Sequence, residues 1–420
     1  MTRKYAIIIP DGCADLPIDE LGGKTPLEAA DIPNMNALAQ TGLIGRSFNV
    51  PDGYTPGSDV ATLSLLGYNP ADYYTGRAPL EAVAQGIFLG PDDWAFRCNL
   101  VCLEDGKMKS FTADHISSEE AKEILAGIQS EVVPLWSKIA PGIGGRVDFF
   151  PGVSYRNLMV YRPDSDAGRA LFSQKTATYP PHDYTGQEYA QALPAGAGAE
   201  TVRGLMSAAE EFLADHPVNK KRIASGKLPA TCAWLWGQGK RPDLRPFAEQ
   251  YGGIRGGMIS AVDLLRGIAA LLEWKIIDVP NITGYVDTDY AAKGKYAAAA
   301  LDELDLVCVH VEATDEASHE GSLEKKMKAL ADIDSKVLPP ILEKLQSFSD
   351  WRILISPDHP TPISTKTHSR GFVPWIAAGS DIQPAVGQGG YSEKTAENSP
   401  HAFGRGCDLM SCWTKERSDF

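Results

Sequence analysis

"WRILISPDHPTP" (351–362) joins a short apolar run to an acid and a histidine enclosed by three prolines. The run "WRILI" reads as a buried strand. The prolines can extend neither a helix nor a central strand, so they restrict the chain locally. Asp358 and His359 are therefore held on a rigid loop just past a strand. In open α/β sheets, ligands bind outside the carboxyl ends of the strands. An Asp-His pair in a plain turn is the competing reading, and the rest of the chain decides between them.

The same pattern recurs. "YAIIIPDG" (5–12) reads as a short strand ending in a turn, and "LVCVHVEA" (306–313) and "VPWIAAG" (373–379) are similar runs. Continuous β-branched runs suit a parallel sheet covered on both faces. Helical patterns separate them, "SLEKKMKALADIDSKVLPPILEKL" (322–345) among them. The expected fold class is α/β, with a mainly parallel sheet sandwiched by helices. Thr25-Pro26 and Ala78-Pro79 each precede "LEA", with proline expected in a first helical turn.

The middle of the chain differs. "AFRCNLVCLEDGKMKSFTADH" (95–115) reads as a hairpin with an Asp-Gly turn. "SSEEAKEILAGI" (117–128) has a serine cap and acids in its first turn. "GRVDFFPGVSYRNLMVYR" (145–162) reads as two more strands. These elements suggest a small α+β domain, 92–185, inserted into a discontinuous core of 1–91 and 186–420 and expected to act as a substrate or lid domain. The Gly/Pro/Ala-rich stretch 176–200 is the expected return linker. "TCAWLWGQG" (231–239) then resumes the core.

With 420 residues, 43% hydrophobic and 22% charged, the composition is that of a soluble globular chain of two or more domains. A formal net charge of −14 argues against nucleic-acid or anionic-membrane partners. It does not exclude an anionic substrate in a local cationic pocket. Seven cysteines without a C-x-x-C are expected to be reduced, structural thiols. The N-terminal run lacks a signal-peptide pattern and no stretch approaches a membrane span, so a cytoplasmic location is expected.

Metal-type side chains gather at the strand ends. Asp11 follows the first strand, Asp315 and His319 follow the run ending near Val311, Asp358 and His359 follow the next, and His368 lies in "KTHSRG". Asp315 and His319 are four apart, so on a helix they share one face. Carboxylates with imidazoles suit Mn²⁺, Zn²⁺ or similar ions rather than calcium. Three aspartates and three histidines at one sheet edge point to a two-metal site. Ser58, before the helical run "DVATLSLLG", is the candidate nucleophile, with Thr55 and Ser64 as weaker rivals. It can be a plain N-cap. The same place at a helix N-terminus is also suited to phosphate.

Together, "IIIPDG", "PGSDVATLSLLGY", "VEATDEASHEG", "SPDHPTP", "KTHSRGFVP", "GVSYRNLMV" and "LWGQG" resemble the archaeal-type, cofactor-independent phosphoglycerate mutases of the alkaline phosphatase superfamily. The resemblance runs nearly end to end and implies an alkaline-phosphatase-like core. It implies that Asp11, Ser58, Asp358 and His359 hold one metal and that Asp315, His319 and His368 hold the other, Mn²⁺ first, with Zn²⁺, Co²⁺ and Mg²⁺ as alternatives. It further implies that Ser58 takes the phosphoryl group of 3-phosphoglycerate and returns it to give 2-phosphoglycerate, with no 2,3-bisphosphoglycerate.

A substrate bearing phosphate and carboxylate calls for cationic groups. The candidates are Arg97, Asn99, His115, Arg156, the Asn219, Lys220 and Arg222 of "NKKR", and Lys293. The resemblance adds Trp236. The run "NKKR" can equally be a solvated surface. Glu312 stands where many archaeal mutases carry lysine, and "DHPTP" also resembles a bacterial branch proposed to phosphorylate homoserine. A homoserine-kinase-like phosphotransferase and a phosphatase therefore remain as alternatives built on the same metal-serine site. No Walker-type or kinase-type glycine loop is present to cradle a nucleotide. The oligomeric state is not legible.

Overall fold

The computed structural model describes residues 3–384 and 389–415. Its strands are β1 (Lys4–Pro10), β2 (Leu43–Phe48), β3 (Trp94–Glu104), β4 (Lys107–Ser110), β5 (Arg146–Val153), β6 (Arg156–Arg162) and β7 (Cys232–Gly239). They continue with β8 (Gly256–Ile259), β9 (Lys275–Ile276), β10 (Leu306–Val311), β11 (Trp351–Ile355), β12 (Phe372–Gly379) and β13 (Ala402–Phe403). The chain divides into two units, one of Met1–Tyr74 with Asp243–Phe420 and one of Thr75–Pro242.

The first unit is built on an eight-stranded sheet in the order β13-β2-β12-β11-β1-β10-β8-β9. At its centre β11, β1, β10 and β8 run parallel. All of β10 and nearly all of β1 are buried, as their unbroken apolar runs require. Helices Ala313–Glu320, Leu323–Asp332 and Leu338–Gln346 carry the chain from β10 to β11. Their apolar residues Leu330, Leu338 and Ile341 join Ile8, Val309 and Ile353 in one core. The α/β fold with a mainly parallel sheet is thus as expected. One strand is not: β12, "VPWIAAG", lies antiparallel to both β11 and β2. A parallel return needs a crossover, usually a helix. The loop between β11 and β12 contains no helix and folds back to form a wall of the site instead.

The second unit has a five-stranded antiparallel sheet, β4-β3-β6-β5 with β7 also paired to β3. The Asp105-Gly106 turn joins β3 to β4, both residues having positive φ as a tight hairpin demands. Ser117 caps the helix Ser118–Gly127 through a capping box with Glu120. Thr25 does the same for Pro26–Ala29, whereas the second "PLEA" helix begins at Arg77, two residues ahead of its proline. The unit is wider than the 92–185 read from the sequence. Strand β7, read above as core, pairs with β3 from Ala95 to Val101, and its Trp234 and Leu235 share a core with Leu205 of the helix Ala199–Ala214. The seven cysteines are all free, and six are buried. No helix among the described residues is long and apolar enough to cross a membrane.

One buried ion pair fixes the loop after β11. Lys326 Nζ bonds Asp15 Oδ2 at 2.8 Å and the Thr361 carbonyl at 3.0 Å, with both side chains sealed from solvent. Removing one partner strands the other as an uncompensated charge. Lys326→Met is expected to cost about 3–5 kcal/mol, read as a lower urea midpoint for the first unit with an unchanged slope. A midpoint equal to that of the parent would refute this role.

Candidate active site

Because β11, β1 and β10 are adjacent and parallel, their carboxyl ends open at one edge of the sheet. Asp358 and His359, Asp11, and Asp315 leave those three ends. Asp315 and His319 lie one helical turn apart on Ala313–Glu320, 3.0 Å between Oδ2 and Nε2. Gly12 makes this convergence possible. Its φ is +58°, and a Cβ there would lie 2.3 Å from Asp315 Oδ1 and 2.5 Å from Thr361 Oγ1. Its N–H also donates to Asp358 Oδ1 at 3.2 Å.

Ser58 is the first residue of the helix Ser58–Leu65, and the capping position is taken by Gly57. The serine side chain therefore does not cap its own helix. Its Oγ lies 3.3 Å from Asp11 Oδ2 and 3.2 Å from His359 Nε2. The rivals fall elsewhere: Thr55 is exposed, and Ser64 is buried farther along the helix.

The hydrogen bonds fix what each imidazole presents. His319 Nδ1 donates to the Lys366 carbonyl at 2.9 Å and His368 Nδ1 to the Pro56 carbonyl at 3.3 Å. Their Nε2 lone pairs meet 3.0 Å apart, with Asp315 Oδ2 at 3.0 and 3.3 Å. Three such atoms at this range need a shared cation, a proton in the metal-free protein or a metal ion in its place. Thr361 donates to Asp315 Oδ1 at 2.5 Å, so its oxygen is left to accept from His359 Nδ1 at 3.2 Å. That turns the His359 Nε2 lone pair toward Ser58, Asp11 and Asp358. Asp11 Oδ1 and Asp358 Oδ2 are buried and accept no hydrogen bond.

Two ligand clusters result, Asp315/His319/His368 and Asp11/Asp358/His359, each with its ligand atoms within 4.8 Å of one another. Ser58 joins the second. Orphaned carboxylate oxygens beside imidazole lone pairs are the donor set of a divalent transition-type ion, and the residues present fit one in each cluster.

The electrostatics agree. Burial, reinforced by Asp358 and Asp315, holds the Asp11 carboxyl well above the usual range. Burial alone would raise Asp315 too, but the hydrogen bonds from His319 and His368 win and hold it well below. The same bond to Asp315 raises His319 to about 9. Burial lowers His359. It takes His310, whose Nε2 lies 2.8 Å from Asp11 Oδ2, down to about 3.

The substrate candidates divide. In the second unit Arg97 stacks over Trp236 at 4.2 Å and pairs with Glu81 at 3.1 Å, while Asn99 Oδ1 accepts the indole N–H of Trp236 at 3.0 Å. Arg156 is exposed beside the Tyr155 ring, and His115 is exposed on a left-handed turn. The remaining candidates are engaged within the protein. Asn219 is buried and bonds the backbone of Leu213 and Ala230. Arg222 is buried and bonds Glu120 and the carbonyls of Leu228 and Ala113. Lys220 pairs with Asp215 in solvent. Helical spacing turns Asn219 and Arg222 inward and leaves the lysines outside. Lys293 is buried in the first unit and donates to the His310 carbonyl at 3.0 Å.

The sequence reading missed Thr361, His310, Ser260, Thr314 and Asn49. Thr314 Oγ1 donates to the Asp11 carbonyl at 2.5 Å and Asn49 Nδ2 to that of Asp358 at 2.8 Å. Thr361 sits inside the "DHPTP" already singled out, so its place next to the ligands was the available signal. His310 is masked by an apolar strand.

Residues 39–219 match a family model described as 2,3-bisphosphoglycerate-independent phosphoglycerate mutase. A protein of that name from Methanosarcina acetivorans is 46% identical over 98% of this chain and 100% of its own length. One from Methanothermobacter thermautotrophicus is 47% identical over 91% and 90%. Among solved structures, a Pyrococcus horikoshii protein superposes with TM-score 0.78 at 27% identity, covering 100% of this chain and 99% of its own. The cofactor-independent phosphoglycerate mutase of Thermoplasma acidophilum does so with TM-score 0.64 at 25% identity, covering 99% and 100%.

With its pKa raised to about 9, His319 carries a proton at neutral pH in the metal-free protein. The stabilisation from that proton is full below the ordinary value of about 6.5 and is lost as pH rises through the raised one. A metal must displace the same proton. Mn²⁺ binding at pH 7.5 is expected to release protons, and the release should fade above the raised pKa. Calorimetric titrations in buffers of different ionisation heat measure it. Equal heats in all buffers at pH 7.5 would contradict the assignment.

Proposed function

The chain belongs to the 2,3-bisphosphoglycerate-independent phosphoglycerate mutases, isomerases of 3-phosphoglycerate and 2-phosphoglycerate, and we propose that Ser58 is its phosphoryl carrier. The carrying observation is the placement of Ser58 Oγ, uninvolved in capping, at a helix N-terminus within 3.3 Å of both Asp11 and His359. Asp11, Ser58, Asp358 and His359 hold one divalent ion in this reading, and Asp315, His319 and His368 hold the other. When bound, the ions, Mn²⁺ before Zn²⁺, Co²⁺ or Mg²⁺, offset phosphoryl charge and lower the serine pKa.

Ser58 Oγ attacks phosphorus in line, its proton passing toward Asp11 Oδ2. The bond from phosphorus to the glycerate 3-oxygen breaks as the bond to Oγ forms, leaving a phosphoserine. The first-turn N–H groups of Ser58–Leu65 stabilise the phosphoryl oxygens. The departing 3-oxygen takes up a proton as it leaves; glycerate reorients, its 2-hydroxyl gives up a proton as it attacks the phosphoserine, and that proton restores the Ser58 hydroxyl. Each bond broken is matched by one formed, so no bisphosphate is consumed.

The anionic groups of the substrate need cations. In the second unit Arg77 and Arg156 each lie close enough to Arg97 to act on it electrostatically, and His182 stands against Trp236 at 5.5 Å. This cluster is our candidate grip on the carboxylate and phosphate, with Asn99 holding Trp236 beneath Arg97.

Phosphorus NMR of the Mn²⁺-loaded protein given 3-phosphoglycerate, without nucleotide or bisphosphate, is expected to show 2-phosphoglycerate growing in. Inorganic phosphate alone would mean a phosphatase. Ser58→Ala should lower kcat by at least about 10³-fold, and full turnover by that variant with metal bound would sink the proposal. Arg97→Ala should raise KM about 10- to 100-fold, the worth of a charge-assisted bond.

A further inference from the structure

Ser260, His310 and Asp11 form a row across the carboxyl edge of the sheet. Ser260 directly follows β8, His310 lies in β10 and Asp11 directly follows β1; β10 is the strand between the other two. All three side chains are buried, at 0%, 0% and 1% exposure, so their hydrogen bonds can be followed without solvent. Ser260 Oγ accepts the Val262 N–H at 3.0 Å, which leaves its own proton to donate. It lies 3.1 Å from His310 Nδ1. His310 Nε2 lies 2.8 Å from Asp11 Oδ2. As a ligand to a bound ion Asp11 is ionised, and an ionised carboxylate only accepts. Nε2 must then carry the hydrogen, Nδ1 must accept, and Ser260 must donate. Each group has one role left, and the roles agree. Lys293 Nζ, bonded to the His310 carbonyl at 3.0 Å, anchors the histidine backbone from behind.

We infer that Ser260 and His310 are positioning residues for the metal site: they tie down Asp11 Oδ2 and dedicate Oδ1 to the ion. The inference rests on the reading of Asp11 as a ligand. It explains why Oδ1, alone of the two oxygens, is buried and accepts no hydrogen bond. It also sets His310 apart from the other histidines of the site. With metal bound, His319, His359 and His368 each donate through Nδ1 and turn Nε2 to the ion as a lone pair, whereas His310 presents Nε2 as a donor. Outer hydrogen bonds of this kind orient a ligand and raise its affinity for the ion by about 10- to 100-fold.

The test is equilibrium Mn²⁺ binding followed by electron paramagnetic resonance on the full chain. The parent should bind two ions. His310→Leu should weaken one of them about 10- to 100-fold and leave the Asp315/His319/His368 ion unchanged. His310→Gln, which keeps an N–H donor toward Asp11, should recover most of that loss. Ser260→Ala should weaken the same ion by less than His310→Leu does. A folded His310→Leu protein that binds both ions as the parent does overturns the inference while leaving the metal reading intact. A parent that binds no Mn²⁺ overturns both. A measurement without mutation covers the case in which His310→Leu does not fold. In ¹⁵N-histidine spectra of the Mg²⁺-loaded parent, one site histidine should be the Nε2–H tautomer and three the Nδ1–H tautomer. Finding His310 as Nδ1–H overturns the inference.

Discussion

Two buried carboxyl groups, Asp11 and Asp358, each keep one oxygen free of any hydrogen bond, and that unmet pair is the constraint around which the site of the first unit is organised. Burying such a group costs several kcal/mol unless a cation or proton meets it. The fold spends none of its own cations there. Lys326 is committed to Asp15, Lys293 to a backbone carbonyl, and the nearest imidazoles face the carboxylates with lone pairs or with a single N–H. A divalent ion is what this donor set would take, and phosphoryl transfer is a reaction such an ion can serve.

Parallel strands supply the means. Adjacent carboxyl ends bring Asp11, Asp315 and Asp358 together without any long loop, and the missing Cβ of Gly12 lets the turn after β1 pass between them. The loop after β11 then has two tasks. Its prolines and its bonds to Lys326 keep Asp358 and His359 in place, and its return as an antiparallel strand carries His368 past the opening. Thr361 joins the two ligand clusters through one hydroxyl, giving its proton to Asp315 and taking one from His359.

The residues that would hold the ions were legible because their signal is local. An apolar run followed by Asp, or by Asp and His four apart, places a side chain at a strand end or on one helical face without knowledge of the rest. What was not legible depends on partners far along the chain. His310 looks like a lapse in an apolar strand until Asp11 and Ser260 are set beside it. Asn219 and Arg222 look like part of a solvated basic run, yet two of its four residues turn into the core and two into water. "LWGQG" looks like one more core strand, and only its pairing with β3 assigns it to the second unit. The direction of β12 escaped for the same reason: strand polarity belongs to the connection, not to the strand.

Arg222 carries one more consequence. Ala113, Asp114 and His115 all have positive φ, three consecutive left-handed residues without a glycine, each about 1–2 kcal/mol worse than the ordinary helical basin. The side chains of Ser110 and Thr112 and the buried guanidinium of Arg222 hold them there, the last from 109 positions away. Closing a contact of that span costs more chain entropy than closing a local one. The turn that presents His115 is thus held from two sides, by its own Ser110 and Thr112 and by a helix far along the second unit.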